Sequence, residues 1–95
     1  MQQYTLLTDA DSTGEAVNPL PGTYKLYIYG TWDGATATLQ SRQVGSSSWV
    51  NEPAGSFAAD STVFLEVLSG LSGDVEYRFS IASAGGSTEL SAELV

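Results

Sequence analysis

Between Gly22 and Trp32 apolar and polar residues trade places at almost every step. Tyr24, Leu26, Ile28, Gly30 and Trp32 fall on one phase, and Lys25, Tyr27, Tyr29 and Thr31 on the other. A period of two sends successive side chains to opposite faces of an extended chain, so this segment predicts a strand with one buried face. Val75 to Ser83 repeats the pattern, with Val75, Tyr77, Phe79 and Ile81 alternating with Glu76, Arg78 and Ser80. So does the end of the chain, where Leu90, Ala92 and Leu94 alternate with Glu89, Ser91 and Glu93. Leu26, Ile28, Tyr77, Phe79, Leu90 and Leu94 are therefore expected to face one core.

Three further strands are weaker in pattern. Gln3 to Thr8 reads as a first strand, and Thr36 to Val44 as a Thr-rich one that begins after Asp33-Gly34, a hairpin signal. Thr62 to Leu68 is apolar on both phases except at Glu66, which predicts a central strand or one lying under a neighbour. Short pairs around Trp49-Val50 and Ser56-Phe57 complete the set. Turn-forming residues separate them at Asn18 to Gly22, Gly45 to Ser48, Gly70 to Asp74 and Gly85-Gly86. The polar stretch from Asp9 to Pro21 reads as a long loop. No window keeps helical spacing. Six to eight short strands in one domain, residues 1 to 95, predict an all-β fold, an antiparallel β-sandwich or short barrel.

Composition narrows the chemistry. The 95 residues contain neither cysteine nor histidine, which removes Ser-His and Cys-His catalysis and Cys- or His-ligated zinc. Lys25 is the only lysine, so carboxylates are what remains, and the chain is read as non-enzymatic with no cofactor and no metal. Eleven acidic residues against three basic ones give a net charge of −8. That surface repels phosphate backbones and anionic headgroups, so neither nucleic acid nor membrane is an expected partner. The opening Met1-Gln2-Gln3-Tyr4 lacks the basic and apolar regions of a signal peptide, and the expectation is a product made in the cytoplasm.

Several clusters invite a sharper reading. Asp9-Ala10-Asp11-Ser12-Thr13-Gly14-Glu15 opens like a calcium loop, but Leu20 stands where a bidentate carboxylate is needed, and an ordinary acidic loop is the better reading. Glu76, Glu89 and Glu93 sit on solvated phases. Glu66 shares its phase with Phe64 and Leu68 and is expected to form a cross-strand ion pair with Arg78 rather than a glycosidase-like carboxylate pair. Gly45 to Trp49 echoes the Asp-box hairpin, in which the tryptophan packs on its own turn. Gln43 replaces the expected Asp. Tyr27 and Tyr29, opposite the core phase, have three readings: covered by the N-terminal segment or the long loop, a partner or intersubunit contact, or a sugar platform.

The run Thr31 to Ser41, the Gly/Ser turn with Trp49-Val50, the stretch Pro53 to Asp60 and the strand Glu76 to Ile81 occur in an order with a family parallel. This order resembles small virion proteins of tailed bacteriophages, in which a GATVTLQ…W strand pair, a GASFTADG-like turn and a YRLVVSG-like strand recur. The resemblance covers residues 30 to 95. It departs from the family at Gly45 to Ser48, where Asp-Gly-Gly is usual, and the first third of the chain has no counterpart. It implies a structural protein of the virion, a decoration or cement protein on the head. Its partner would be the major capsid protein or another virion protein, and self-association into a homo-oligomer is compatible with that role. Tyr27 and Tyr29 are the candidate partner-binding residues. The competing class is a carbohydrate-binding or adhesion module, motivated by Tyr27, Tyr29, Trp32 and Trp49.

Overall fold

The computed structural model describes residues 3–20, 22–67 and 75–95. Among the described residues seven strands run in chain order: β1 (Tyr4–Ala10), β2 (Gly22–Thr31), β3 (Thr36–Gln43), β4 (Val50–Phe57), β5 (Ser61–Val67), β6 (Val75–Ala82) and β7 (Glu89–Leu94). They make two antiparallel sheets, one in the order β1-β7-β2-β5 and the other β4-β3-β6. No helix occurs among the described residues. The predicted all-β fold is thus correct, with the sandwich arrangement of two sheets.

The core is the meeting of the inward phases. Tyr24, Leu26, Ile28, Leu90, Ala92 and Leu94 from the larger sheet face Ala37, Leu39, Tyr77 and Phe79 from the smaller, all buried. All six residues expected in the core are among them. Phe79 is fully buried, with Phe57 edge-on at 6.1 Å between ring centroids. Strands with one polar phase bury the other because that arrangement removes apolar area from water without stranding a polar side chain.

Four expectations change. The two short pairs around Trp49-Val50 and Ser56-Phe57 are ends of one strand, β4, whose pairing with β3 slips between Thr38 and Gln40. Ala54 in that stretch has φ 56°, so a local kink interrupts the alternation that would have revealed a single strand. The Asp33-Gly34 turn forms, with φ 45° and 84° and Ala35 N–H donating to the Trp32 carbonyl at 2.9 Å. It does not close a hairpin, however: it carries the chain from β2 in one sheet to β3 in the other. Among the described residues β5 is an edge strand and not a central one, paired on one side with β2.

The polar segment after β1 is the fourth. Asp9 and Ala10 belong to β1, and the following residues run along the outer edge of β6. Gly14 N–H donates to the Phe79 carbonyl at 3.0 Å, and Val17 and Tyr77 exchange two backbone bonds of 2.8 Å. A Cβ on Gly14 would meet the Leu6 carbonyl oxygen at 2.5 Å, so the close approach to β1 requires glycine. The segment is fastened at its far end as well. The Tyr24 hydroxyl donates to the Leu20 carbonyl at 2.6 Å, and Leu20 N–H donates to the Tyr4 hydroxyl at 3.0 Å. Pro21, Leu68 and the predicted turn Gly70 to Asp74 lie outside the described residues.

Candidate functional site

The polar phase of β2 points away from the core, and its neighbours decide what surrounds it. On one side the register sets Phe64 opposite Lys25, Thr62 opposite Tyr27 and Glu66 opposite Thr23. On the other, Glu93 lies opposite Tyr27 and Ser91 opposite Tyr29. The outer face of the larger sheet therefore gathers Tyr27, Tyr29 and Phe64, with Lys25 beside Tyr27 and opposite Phe64. Phe64 is 77% exposed and Tyr29 43%, while Tyr27 is half-buried among its neighbours. The Lys25 ammonium sits 5.5 Å from the centre of the Tyr27 ring, within cation–π reach.

Hydrogen bonds fix part of this face. The Tyr29 hydroxyl donates to Glu93 Oε1 at 2.7 Å, and Gln3 Nε2 donates to Glu93 Oε2 at 2.6 Å. The bond to Glu93, aided by desolvation and by the charges of Glu93 and Asp9, holds the Tyr29 phenol above its ordinary pKa. Tyr29 is thus a protonated donor at neutral pH. Among the described residues, neither the backbone of β1 nor the Thr13–Val17 segment runs over the two tyrosines. β1 is separated from β2 by β7 within the same sheet, and the Thr13–Val17 segment bonds to β6 in the other.

The outer face of the smaller sheet is a closed polar ladder. Gln40 Nε2 donates to Asn51 Oδ1 at 2.9 Å, and Arg78 Nε donates to Gln40 Oε1 at 2.8 Å. Arg42 pairs with Glu76 at 3.0 Å. Over this ladder lies Trp49, with the guanidinium carbons of both Arg42 and Arg78 4.4 Å from its ring centre. The tryptophan packs on the two arginines of β3 and β6. Delocalised guanidinium planes stack well on an indole face.

The expected Glu66–Arg78 ion pair does not form. The two residues belong to different sheets, and the cross-strand partner of Glu76, on β6, is Arg42. Trp32 is half-buried and its indole N–H donates to Asp60 Oδ1 at 2.9 Å, which sets it apart from the outer-face tyrosines. The four aromatics that suggested a sugar platform do not share one surface. Among the described residues no three acidic side chains gather as metal ligands, and Gly14 serves the packing of the Asp9–Glu15 stretch against β1. Phe64 is the residue that sequence reasoning missed. Its signal was the doubly apolar pattern of Thr62 to Leu68, which fits an edge strand with a sticky outer face as well as it fits a buried one.

No family model, curated protein or solved structure matches this chain.

Proposed function

We propose that this domain is a non-catalytic assembly module, a structural protein of a bacteriophage virion that decorates or stabilises the head. It attaches by protein–protein contact through the outer face of the β1-β7-β2-β5 sheet. The observation that carries the reading is the placement of Tyr27, Tyr29 and Phe64 on one outward face, with none of them needed to fill the core. Aromatic side chains with few rotors are the usual anchors of interfaces, and a face repeated on many copies binds by avidity. The resemblance over residues 30 to 95 supplies the virion context, with the major capsid protein as first candidate partner. A carbohydrate-binding role loses support because Trp32 and Trp49 are engaged elsewhere.

The test is peptide mass spectrometry of purified particles, followed by co-sedimentation of particles stripped of this chain with added protein. Fixed stoichiometry in the particle, and rebinding that Tyr27→Ser with Tyr29→Ser abolishes, are the expected results. Absence from particles together with retention on a glycan array would overturn the reading in favour of the sugar-binding class.

A further inference from the structure

The free edge of β5 differs from the other strand edges. β4 carries Pro53, which lacks an N–H, and the kink at Ala54. β6 is covered by the segment through Gly14 and Val17. β1 shifts register twice, between Thr5 and Leu7 and between Leu7 and Ala10. These devices all blunt an edge against pairing. β5 has none of them: seven consecutive residues pair with β2 without a shift, and its sequence STVFLEV contains no proline, glycine or lysine.

Which of its backbone groups face outward follows from β2. Lys25 and Val95 exchange two backbone bonds of 2.9 Å, so the odd-numbered residues of β2 point their N–H and C=O toward β7. The even-numbered residues then point toward β5. Gly30 N–H agrees, donating to Asp60 on that side. The β2 residues Tyr24, Leu26 and Ile28 therefore bond to Leu65, Val63 and Ser61, leaving the N–H and C=O of Thr62, Phe64 and Glu66 directed at the free edge. Among the described residues no backbone bond reaches them.

This set is symmetric about Phe64. An antiparallel second copy centred there sets Phe64 against Phe64, Thr62 against Glu66 and Glu66 against Thr62. Each of these pairs exchanges two backbone bonds, because both members face the seam. The strand's one charge, Glu66, meets a threonine and not itself, so the register carries no like-charge penalty. On the inner side Val63, 39% exposed, meets Leu65 beside an apolar cleft of about 160 Å³ that opens between β4 and β5 and is lined by Leu26, Leu39, Pro53 and Phe57. We infer that the chain forms a two-fold dimer by antiparallel β5–β5 pairing centred on Phe64. Two four-stranded sheets become one of eight strands, and two outer faces lie side by side. The inference does not depend on what that face binds.

The test is sedimentation equilibrium of the whole chain and its variants. Wild type is expected to be dimeric at about 100 μM or below, and to dimerise more tightly as salt rises, since both partners carry −8. Phe64→Pro removes a seam donor and no bond to β2, and should give a folded monomer. Thr62→Glu sets carboxylates opposite each other twice per dimer and should raise the dissociation constant about tenfold, whereas Thr62→Lys should lower it. The same two changes at Ser47, in the turn between β3 and β4, should shift it less than about twofold. A wild type that stays monomeric throughout, or equal effects at positions 62 and 47, would overturn the inference. The charge variants decide the matter even if the proline variant does not fold.

Discussion

Phe79 illustrates how a single side chain is specified. It lies on the apolar phase of β6, is fully buried, and meets Phe57 edge-on. Phe79→Ala should cost about 3–5 kcal/mol, read from chemical denaturation; a cost under about 1 kcal/mol would mean the site is not the centre of the core. Tyr24 and Tyr77 are a second case, because burial raises both phenols above the ordinary 10.0, with Tyr4 adding at Tyr24 and Glu52 at Tyr77. A raised phenol binds its proton more tightly in the folded state than in the unfolded one. Its contribution is therefore intact below pH 10 and lost as pH rises past that value, where the unfolded chain ionises first. Denaturation midpoints should fall between pH 9 and 11, and Tyr24→Phe should flatten that fall (about 1 pH unit either side of the ordinary phenol value). An unchanged slope would assign the alkaline loss to other groups.

At the scale of elements, alternation predicted β2, β6 and β7 with their faces, because one buried side leaves a period of two in the sequence. β4 and β5 show where that signal stops. β4 breaks its own period at Ala54, and β5 is apolar on both phases for two different reasons: Val67 fills the core while Phe64 faces solvent. Periodicity alone does not separate those reasons. The β3–β4 hairpin was also legible, but the place of Trp49 was not, since one of its two partners, Arg78, comes from β6, far along the chain. Trp49→Ala should destabilise the domain by about 1–2 kcal/mol, the sum of two cation–π contacts, while leaving the Arg42–Glu76 pair in place. Combining it with Arg78→Ala in a double-mutant cycle should show a coupling of about 0.5 kcal/mol or more; additive losses would deny the stacking.

For the molecule as a whole, the central prediction separates the fold from the outer face. Tyr27→Ser with Tyr29→Ser removes two rings that the core does not use, and should leave the melting transition cooperative at a cost within about 1.5 kcal/mol. Attachment to particles should meanwhile weaken by roughly 2 kcal/mol or more for each anchor. Unfolding of the double variant would place the tyrosines in the stability of the sheet. Normal attachment would place the contact on another surface.

The sequence by itself determined the class of fold, the core phases of three strands and the six residues that meet at its centre. Each of these depends on local alternation and on apolar area seeking burial. It also determined which reactive side chains are missing, since the chain contains neither histidine nor cysteine. Beyond the β3–β4 hairpin, only the tertiary structure decided which strands are neighbours. Asp33-Gly34 set a local change of direction, but long-range burial took β2 and β3 into different sheets. The same pairing put Glu66 and Arg78 apart, gave Arg42 to Glu76, laid the polar segment after β1 along β6 and left β5 at an open edge. Pairing joins residues distant along the chain, and a two-residue period says which face a side chain takes without saying which strand lies beside it.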